Sequence, residues 1–319
     1  MTVVVSPSAD AASFKRARRT GNARRRCHHG DDVVWRWAIF SPALLLMLAL
    51  SVLPLANLVF TSFYDVTWAQ GQAIWTPRGF ANYAALPGDA LLRAGLVNTL
   101  IFAAGAVAGQ MLMGFVLALL CSRVTRGQVF YRTLFILPIL IPGIVVGAIW
   151  KLMFNYDFGL LNQAIGLLGF AAQNWLGTQQ TALASVILVD IWHWTPFCFL
   201  LFLAGIESLP QDIYEAAEID GASLWQELRY VTLPLMLPTI MVTFAFRLMV
   251  AFKVFDEVYL LTGGGPGTAT EVLSFTIYQR FFTENRLGYG AAMSVMVIFL
   301  VSILLVTGLS VRRRAAVVA

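Results

Sequence analysis

Long apolar runs constrain the fold of this chain more than any other feature of its sequence. Crossing about 30 Å of hydrocarbon takes about 20 helical residues, and six runs are long enough. They lie near residues 37–60, 94–120, 133–153, 182–206, 238–261 and 289–311. Only 12% of the residues are charged, about half of the roughly 25% that is usual for soluble domains. The sequence therefore predicts an all-α integral membrane protein with six transmembrane helices.

The distribution of lysine and arginine predicts the orientation of these helices. Residues 15–36 carry eight lysines and arginines, the 121–132 loop carries three, and the arginines at 312–314 add three more. The loops at 61–92 and 154–181 share a single one, Arg78. Loops rich in lysine and arginine stay in the cytoplasm, and acidic residues contribute little to the rule. We therefore predict that both termini are cytoplasmic, and that the acid-rich loop at 207–233 is cytoplasmic too.

The remaining segments complete the predicted domain organisation. Residues 1–36 are polar and basic, which is typical of a disordered cytoplasmic tail, and 312–319 form a second, short tail. Residues 37–311 are predicted to form one six-span membrane domain. Its first apolar run is too long for the h-region of a cleavable signal. The three cysteines are too scattered to indicate a disulfide framework.

Two short motifs imitate binding sites but lack the spacing that such sites need. The "CHHG" sequence at Cys27–Gly30 has adjacent candidate ligands and no second pair, so we expect no zinc site. The "TGGGPG" sequence at 262–267 lacks the GK[ST] ending of a phosphate loop and reads as an external turn. No catalytic set is apparent on facing helices. We therefore expect this chain to bind no nucleotide, metal or other cofactor and to have no enzymatic activity.

Charged residues inside the predicted spans are more informative. Asp190 and His193 lie in the fourth run and Arg247 lies in the fifth. A charge at membrane depth costs at least about 2.5–3.5 kcal/mol, so it normally faces a partner or a wet cavity. Asp190 and Arg247 therefore form either an interhelical ion pair or part of a polar pathway, and the sequence leaves both interpretations open. Three further charges lie nearer the external boundary: Lys253, Asp256 and Glu257.

The acid-rich loop contains a predicted short helix in "LPQDIYEAAEIDGAS". Its acids suit a helix N-terminus, and Gly221 can supply the left-handed residue that stops the helix. A second short helix is predicted with Leu224, Leu228 and Val231 on one face, after which "LPLMLP" bends the chain back into the membrane. The first helix has the features of a docking element for another protein. Its acids are Asp212, Glu215, Glu218 and Asp220.

The same loop resembles the EAA signature of bacterial ABC importer permeases. In that signature Glu-Ala-Ala is followed after three residues by Gly, and nine more residues lead to Ile-x-Leu-Pro. Val231 in place of Ile is the one departure in this chain. The matching residues are Glu215, Ala216, Ala217, Gly221, Leu233 and Pro234.

Other stretches from about residue 38 onward resemble the carbohydrate-uptake branch of this family. They include "NTLIF", "YRTLFILP", "DIWHWTPF" and "GYGAAMSV", and the "LTGGGPG" ending of the fifth run is similar to the maltose-F or glycerol-phosphate-A type of subunit. The resemblance implies import of a sugar or sugar-like solute across the bacterial inner membrane. The implied partners are a second permease, two cytoplasmic ATPases that bind ATP and Mg, and a periplasmic or lipid-anchored solute-binding protein. It also implies that the EAA helix couples the permease to an ATPase.

The resemblance also assigns a solute pathway. An indole face such as that of Trp192 suits the apolar C–H patches of a sugar ring. Asp190 and Arg247 depart from neutral polar residues in the maltose-type subunit, which leaves a polyol, a monosaccharide or a charged sugar derivative open as solutes. The implied pathway positions are Ile139, Gly143, Asp190, Trp192, His193, Trp194, Arg247, Val250 and Ala251.

Two alternative functions are weighed against this one. An ion-coupled secondary transporter would use the intramembrane charges, but it leaves the EAA loop unexplained and no inverted repeat is evident. An integral-membrane enzyme would need a catalytic set that the sequence does not show. We also expect no nucleic-acid partner.

Overall fold

The computed structural model describes residues 37–69, 71–124 and 126–318. The predicted basic tail at 1–36, including Cys27, lies outside the described residues. By its contacts the chain divides into two compact units, with the boundary between Phe60 and Thr61.

The described residues are mostly helical. The long helices are α1 (Trp37–Ser62), α3 (Ala90–Ser122), α7 (Ala182–Glu207), α10 (Leu233–Ala251) and α13 (Leu287–Val318). Shorter helices are α2 (Ala81–Ala85), α4 (Gln128–Ile136), α5 (Gly143–Met153), α6 (Leu160–Leu167), α8 (Gln211–Ile219), α9 (Leu224–Gln226), α11 (Asp256–Leu261) and α12 (Leu273–Tyr278). Two strands, β1 (Tyr64–Ala69) and β2 (Gln72–Pro77), form an antiparallel hairpin.

Four helices among the described residues are long and apolar enough to cross a membrane: Trp37–Ser62, Ala90–Ser122, Ala182–Glu207 and Leu224–Ala251. The first, second and fourth predicted spans agree with these helices to within a few residues. The sixth predicted span lies within α13 (Leu287–Val318), whose described apolar part is Leu287–Ile303. The count of six spans is not confirmed, because the third and fifth predicted spans differ from the described helices.

The third predicted span is wrong as a single helix. Gln128–Leu140 and Gly143–Met153 meet at an angle of 95°. The cause is local, because a residue before proline is driven away from the helical region. Ile141 has an extended backbone (φ −84°, ψ 127°), as has Pro142 after it (φ −58°, ψ 139°). The helix is thus fully broken at Ile141 and Pro142, and not merely kinked.

The fifth predicted span is displaced. The continuous helix that ends with α10 begins at Leu224 and ends at Ala251. α11 follows it as a separate short helix. A helix does form from Leu224 as predicted, but the predicted bend at "LPLMLP" is wrong, because α9 and a π-helical turn at Glu227–Thr232 run directly into α10. Pro234 lies in the first turn of α10, where a missing N–H is tolerated. The backbone irregularity before Pro234 is a wider π-helical turn and not a bend.

Close packing of α3 on α7 forms the centre of the larger unit. A Cβ atom at Gly114 would lie 2.6 Å from Cβ of Cys198, and one at Gly109 would overlap Ile191. Glycines at such positions let two membrane helices approach closely. This contact places the middle of α7, where Asp190 lies, against the middle of α3.

The hairpin lies in what the sequence predicted as an irregular external loop. Val66 pairs with Trp75 across the two strands, and Gly71 in the turn has a φ of 76°. β-branched and aromatic residues on both sides of a glycine turn favour a hairpin. The signal for a hairpin is therefore present in the sequence of this loop.

Candidate functional site

Three polar side chains from three helices meet in the centre of the larger unit. Nη2 of Arg247 on α10 lies 3.3 Å from Oδ2 of Asp190 on α7. Gln110 on α3 bridges them, accepting from Nε of Arg247 at 2.7 Å and donating to Oδ2 of Asp190 at 2.7 Å. Its amide also donates to the backbone carbonyl of Asp190 at 3.0 Å. The structure thus brings Asp190 and Arg247 into direct contact.

This cluster is closed to solvent. Arg247 is 0% exposed and Asp190 is 3% exposed. The guanidinium carbon of Arg247 lies 4.4 Å from the ring centroid of Trp194, which suits a cation–π contact. Nη1 of Arg247 has no hydrogen-bond partner among the described residues. A buried charge is tolerated only with such pairing, so the cluster ties three helices together.

Sequence reasoning missed Gln110. The signal was available, because a glutamine in the middle of the second apolar run is the same kind of polar intrusion as Asp190 in the fourth. Gln110 was passed over because it carries no charge. Its amide can donate to a carboxylate and accept from a guanidinium at once, which is the role that the structure shows.

His193 belongs to a different contact. Its Nδ1 lies 3.2 Å from Oε1 of Glu257 on α11, and its Nε2 lies 3.1 Å from the backbone carbonyl oxygen of Ile141. Both side chains are buried, at 5% exposure for each residue. Glu257, which the sequence places near the external boundary, is a buried partner of α7.

Trp192 lies on another face of α7 and is 38% exposed. Its ring centroid is 5.5 Å from that of Trp150 on α5. Both rings line a groove of about 580 Å³ whose described lining is almost wholly apolar. Neither Asp190 nor Arg247 lines this groove, so these two implied pathway residues do not share it with Trp192. At 100° per residue, Trp192 points about 200° away from Asp190 around the helix.

The other predicted pathway residues are spread over the surroundings of these contacts. Ile139 is half-buried in the short 3₁₀ turn before the break, and Gly143 begins α5. Trp194 covers Arg247. Val250 is half-buried, and Ala251 is buried in the core at the end of α10.

The EAA segment forms α8, and Gly221 ends it in the left-handed region with a φ of 74°. The N–H of Gly221 donates to the carbonyl of Glu218 at 3.0 Å, and the N–H of Ala222 donates to that of Ala217 at 2.9 Å. This pair of bonds is the Schellman motif, which needs a left-handed residue at this point. Glu215 and Ala216 are exposed and Ala217 is half-buried.

The acids of α8 are distributed differently from the prediction. Among them, Asp212 alone lies in the first turn. Glu218 lies in the last turn and Asp220 is the C-cap, where the helix dipole disfavours negative charge. Both are exposed. The C-terminal end of α8 therefore presents negative charge to solvent.

The chain after Gly221 returns to the membrane helix. Ser223 and Gln226 form a capping box at the start of α9, and Leu233 and Pro234 begin α10. A cavity of about 830 Å³ separates α8 from the ends of α3 and α7. The hydroxyls of Tyr214 and Thr232 are 3.2 Å apart at its edge.

Large apolar side chains are exposed beside these acids. Ile219 is 87% exposed and Trp225 is 68% exposed. Isolated apolar residues are ordinary at a surface, but apolar residues grouped with charges mark interaction sites. This part of the surface has the composition of a protein-docking site.

Comparison with known proteins agrees with this arrangement. Residues 110–315 match the family described as binding-protein-dependent transport system inner membrane component. The chain is 34% identical to the trehalose/maltose transport system permease protein MalF of Thermococcus litoralis, over 82% of this chain and 87% of the relative. It is 35% identical to the sulfoquinovosyl glycerol transport system permease protein SmoG of Agrobacterium fabrum, over 81% and 83% of the two chains.

A solved structure has the same fold. It is a chain of a bacterial ABC transporter involved in the import of the acidic polysaccharide alginate, with a TM-score of 0.78 and 23% sequence identity. The match covers 90% of this chain and 99% of the other.

Proposed function

This chain belongs to the family of binding-protein-dependent transport system inner membrane components, and from this premise we propose that it carries a sugar or sugar-like solute into the cytoplasm. It is a multi-pass permease subunit of an ABC importer. The observation that carries the solute class is its 34–35% identity, over four fifths of its length, to permeases for trehalose/maltose and for sulfoquinovosyl glycerol. ATP and Mg would bind to separate ATPase subunits, which supply the energy.

The proposed ATPase contact is α8. Its exposed acids, the apolar Ile219 beside them and the left-handed turn at Gly221 make a rigid element whose negative end suits a basic cleft. An ATPase that grips this end could shift the permease between two states by rigid-body movement. The residues proposed to take part are Glu215, Ala216, Ala217, Gly221, Leu233 and Pro234.

The proposed solute pathway passes the groove beside Trp192. Indole faces of Trp192 and Trp150 can stack on the C–H face of a sugar ring. The groove offers few polar groups of its own, so a second permease subunit, in a heterodimer, is proposed to supply the hydrogen bonds to solute hydroxyls.

The buried cluster bears on the charge of the solute. Arg247 was a reason to consider an acidic sugar derivative. Its guanidinium forms an ion pair with Asp190, and its Nε donates to Gln110. Arg247 also does not line the groove. This favours a neutral sugar or polyol.

The remaining partners follow from the same proposal. A periplasmic or lipid-anchored binding protein would deliver the solute from outside, and two ATPases would lie in the cytoplasm with both termini of this chain. The lysine and arginine distribution supports this orientation.

ATP hydrolysis by the purified whole complex tests the proposal. We expect the rate with its binding protein to rise severalfold with maltose, trehalose or another sugar or polyol from a panel. A complex without the binding protein is the control and should not respond. Stimulation by methionine or histidine, with none from the sugars and polyols, would contradict the solute class.

A further inference from the structure

The break between α4 and α5 leaves the backbone carbonyl of Ile141 outside the helical hydrogen-bond pattern. The N–H groups of Val145 and Val146 both donate to the carbonyl of Pro142, at 2.9 and 3.0 Å. The carbonyl of Ile141 receives neither of them. An unsatisfied carbonyl at membrane depth costs several kcal/mol, so the break needs a donor from elsewhere in the protein.

His193 on α7 supplies that donor. Its Nε2 lies 3.1 Å from the carbonyl oxygen of Ile141. A carbonyl can only accept, so Nε2 must carry a proton. Hydrogen-bond partners determine the histidine tautomer in this way.

The other ring nitrogen, Nδ1, faces the carboxyl group of Glu257, and this contact needs a proton of its own. Nδ1 and Oε1 of Glu257 are 3.2 Å apart, and two unprotonated atoms there would repel. One proton must therefore lie between them, either on an imidazolium beside a carboxylate or on a carboxylic acid beside a neutral imidazole. In both forms the two side chains together have no net charge, which suits their burial.

Glu257 lies on a helix that is closely packed on α5. A Cβ atom at Gly143 would lie 2.8 Å from Oδ2 of Asp256, and one at Gly147 would lie 2.9 Å from Cβ of Leu260. Nζ of Lys151 donates to the carbonyl of Leu260 at 2.9 Å. Because these contacts recur at every turn of α5, the two helices form one unit. His193 thus holds both the break and this unit against α7.

We propose that His193 is a positioning residue that holds the α4–α5 break against α7 through Ile141 and Glu257, and that it is not a solute ligand. The inference rests on the proposed function and deepens it, since it removes His193 from the solute pathway that the resemblance implies. Both ring nitrogens already have partners in the protein. The groove beside Trp192 is lined by Ile141 but not by His193.

Local hydrogen exchange of the purified full-length chain tests the positioning role. We expect His193→Leu and Glu257→Leu to raise the exchange rate of amides in residues 141–153 by about tenfold or more, because local opening becomes easier. Glu257→Gln should stay close to the wild type, since its amide can donate to Nδ1. Thr195→Val is the matched control, because among the described residues the Thr195 hydroxyl bonds only to the carbonyl of Ile191, within α7, at 2.6 Å.

The exchange pattern decides between local and general effects. Amides of α3 should exchange at the wild-type rate in every variant. Unchanged exchange at 141–153 would overturn the proposal. Equal acceleration of α3 and α5 would also overturn it, because it would show general destabilisation.

Nitrogen NMR tests the tautomer without disturbing the contact. The chain has three histidines, so His28→Gln with His29→Gln leaves His193 as the single ¹⁵N-histidine signal. We expect Nε2 to be protonated. An unprotonated Nε2 with a proton on Nδ1 would overturn the proposal. Neither measurement uses a solute or an ATPase, so failure of the proposed transport function would leave both results unaffected.

Discussion

Arg247 and Asp190 contact each other between α10 and α7, with 3.3 Å between Nη2 and Oδ2, and Gln110 holds both from α3. The pair therefore links two helices. The sequence alone left two roles open for it, an interhelical ion pair and part of a polar pathway. Its burial, its third partner and its distance from the groove all favour the structural role.

Breaking this pair should reduce the amount of folded protein. Asp190→Asn or Arg247→Met leaves an uncompensated buried charge, which costs roughly 3–5 kcal/mol. The double variant should recover folding and transport. The yield of monodisperse protein in detergent and uptake by the complex would be measured.

The control for this prediction is the exposed pair of Arg123 and Glu227, 2.9 Å apart. Exposed pairs contribute about 0–1 kcal/mol, so Arg123→Met should change the yield little. If the buried single variants assembled normally yet transported poorly, and the double variant were no better, Asp190 and Arg247 would be solute ligands.

Trp192→Ala should fold and lose most solute-stimulated transport. The substitution removes an exposed stacking face and no charge, so stability has little reason to change. Leu188→Ala is the control, because Leu188 lies one turn earlier in the same groove and has no ring. Full transport by Trp192→Ala at normal expression would exclude the groove as the solute pathway.

Gly221→Val should abolish uptake while membrane insertion stays intact. A Cβ atom there would meet nothing within 4 Å, so the effect arises from the left-handed backbone, which costs other residues roughly 1–2 kcal/mol. Gly221→Asn should retain most uptake, since asparagine tolerates this conformation. Equal uptake by the valine variant and the wild type would show that the turn is not needed for coupling.

Single cysteines test the orientation. Thr76→Cys, in the 61–92 loop, should react with an impermeant thiol reagent from outside, and Glu218→Cys should not. Cys27 would be replaced by Ser, and Cys121 and Cys198 are buried. Reversed labelling would overturn the lysine and arginine argument.

Acid should weaken the contact at the start of α3. Burial raises the pKa of Asp89, but hydrogen bonds from the Leu92 N–H, Tyr289 and Arg280 outweigh it, so the pKa of the folded protein lies below the ordinary value. The stability from Asp89 is therefore present above the unfolded pKa and is lost as pH falls through the folded pKa.

The thermal midpoint of Asp89→Asn measures this effect. At pH 7 the variant should be less stable than the wild type by roughly 1.5–3 kcal/mol, the contribution of hydrogen bonds to a charged group. Near pH 3 the difference should shrink. A difference that stays constant between these pH values would contradict the assignment.

Local signals in the sequence predicted some features well. The helix at α8 and its stop at Gly221 follow from caps and short-range motifs. The opposite directions of Asp190 and Trp192 were also available, because two residues along a helix differ by about 200°. That step was missed when residues were grouped by resemblance.

The α4–α5 break shows what the sequence could not specify. Pro142 predicts an irregularity, but the donor to the carbonyl of Ile141 beside it comes from His193, 52 residues further along the chain. Glu257 is a second case. Its burial accompanies its contact with His193 and could not be inferred from its position near the end of an apolar run. Contacts between distant helices decided both cases.

The energy source of uptake tests the central claim most directly. The purified permease complex, with its ATPases and binding protein, would be reconstituted in proteoliposomes, and accumulation of a labelled sugar that stimulates its ATPase would be followed. The account predicts accumulation with enclosed ATP and no ion gradient, and none with a proton or sodium gradient alone. Accumulation driven by an ion gradient without ATP would contradict it.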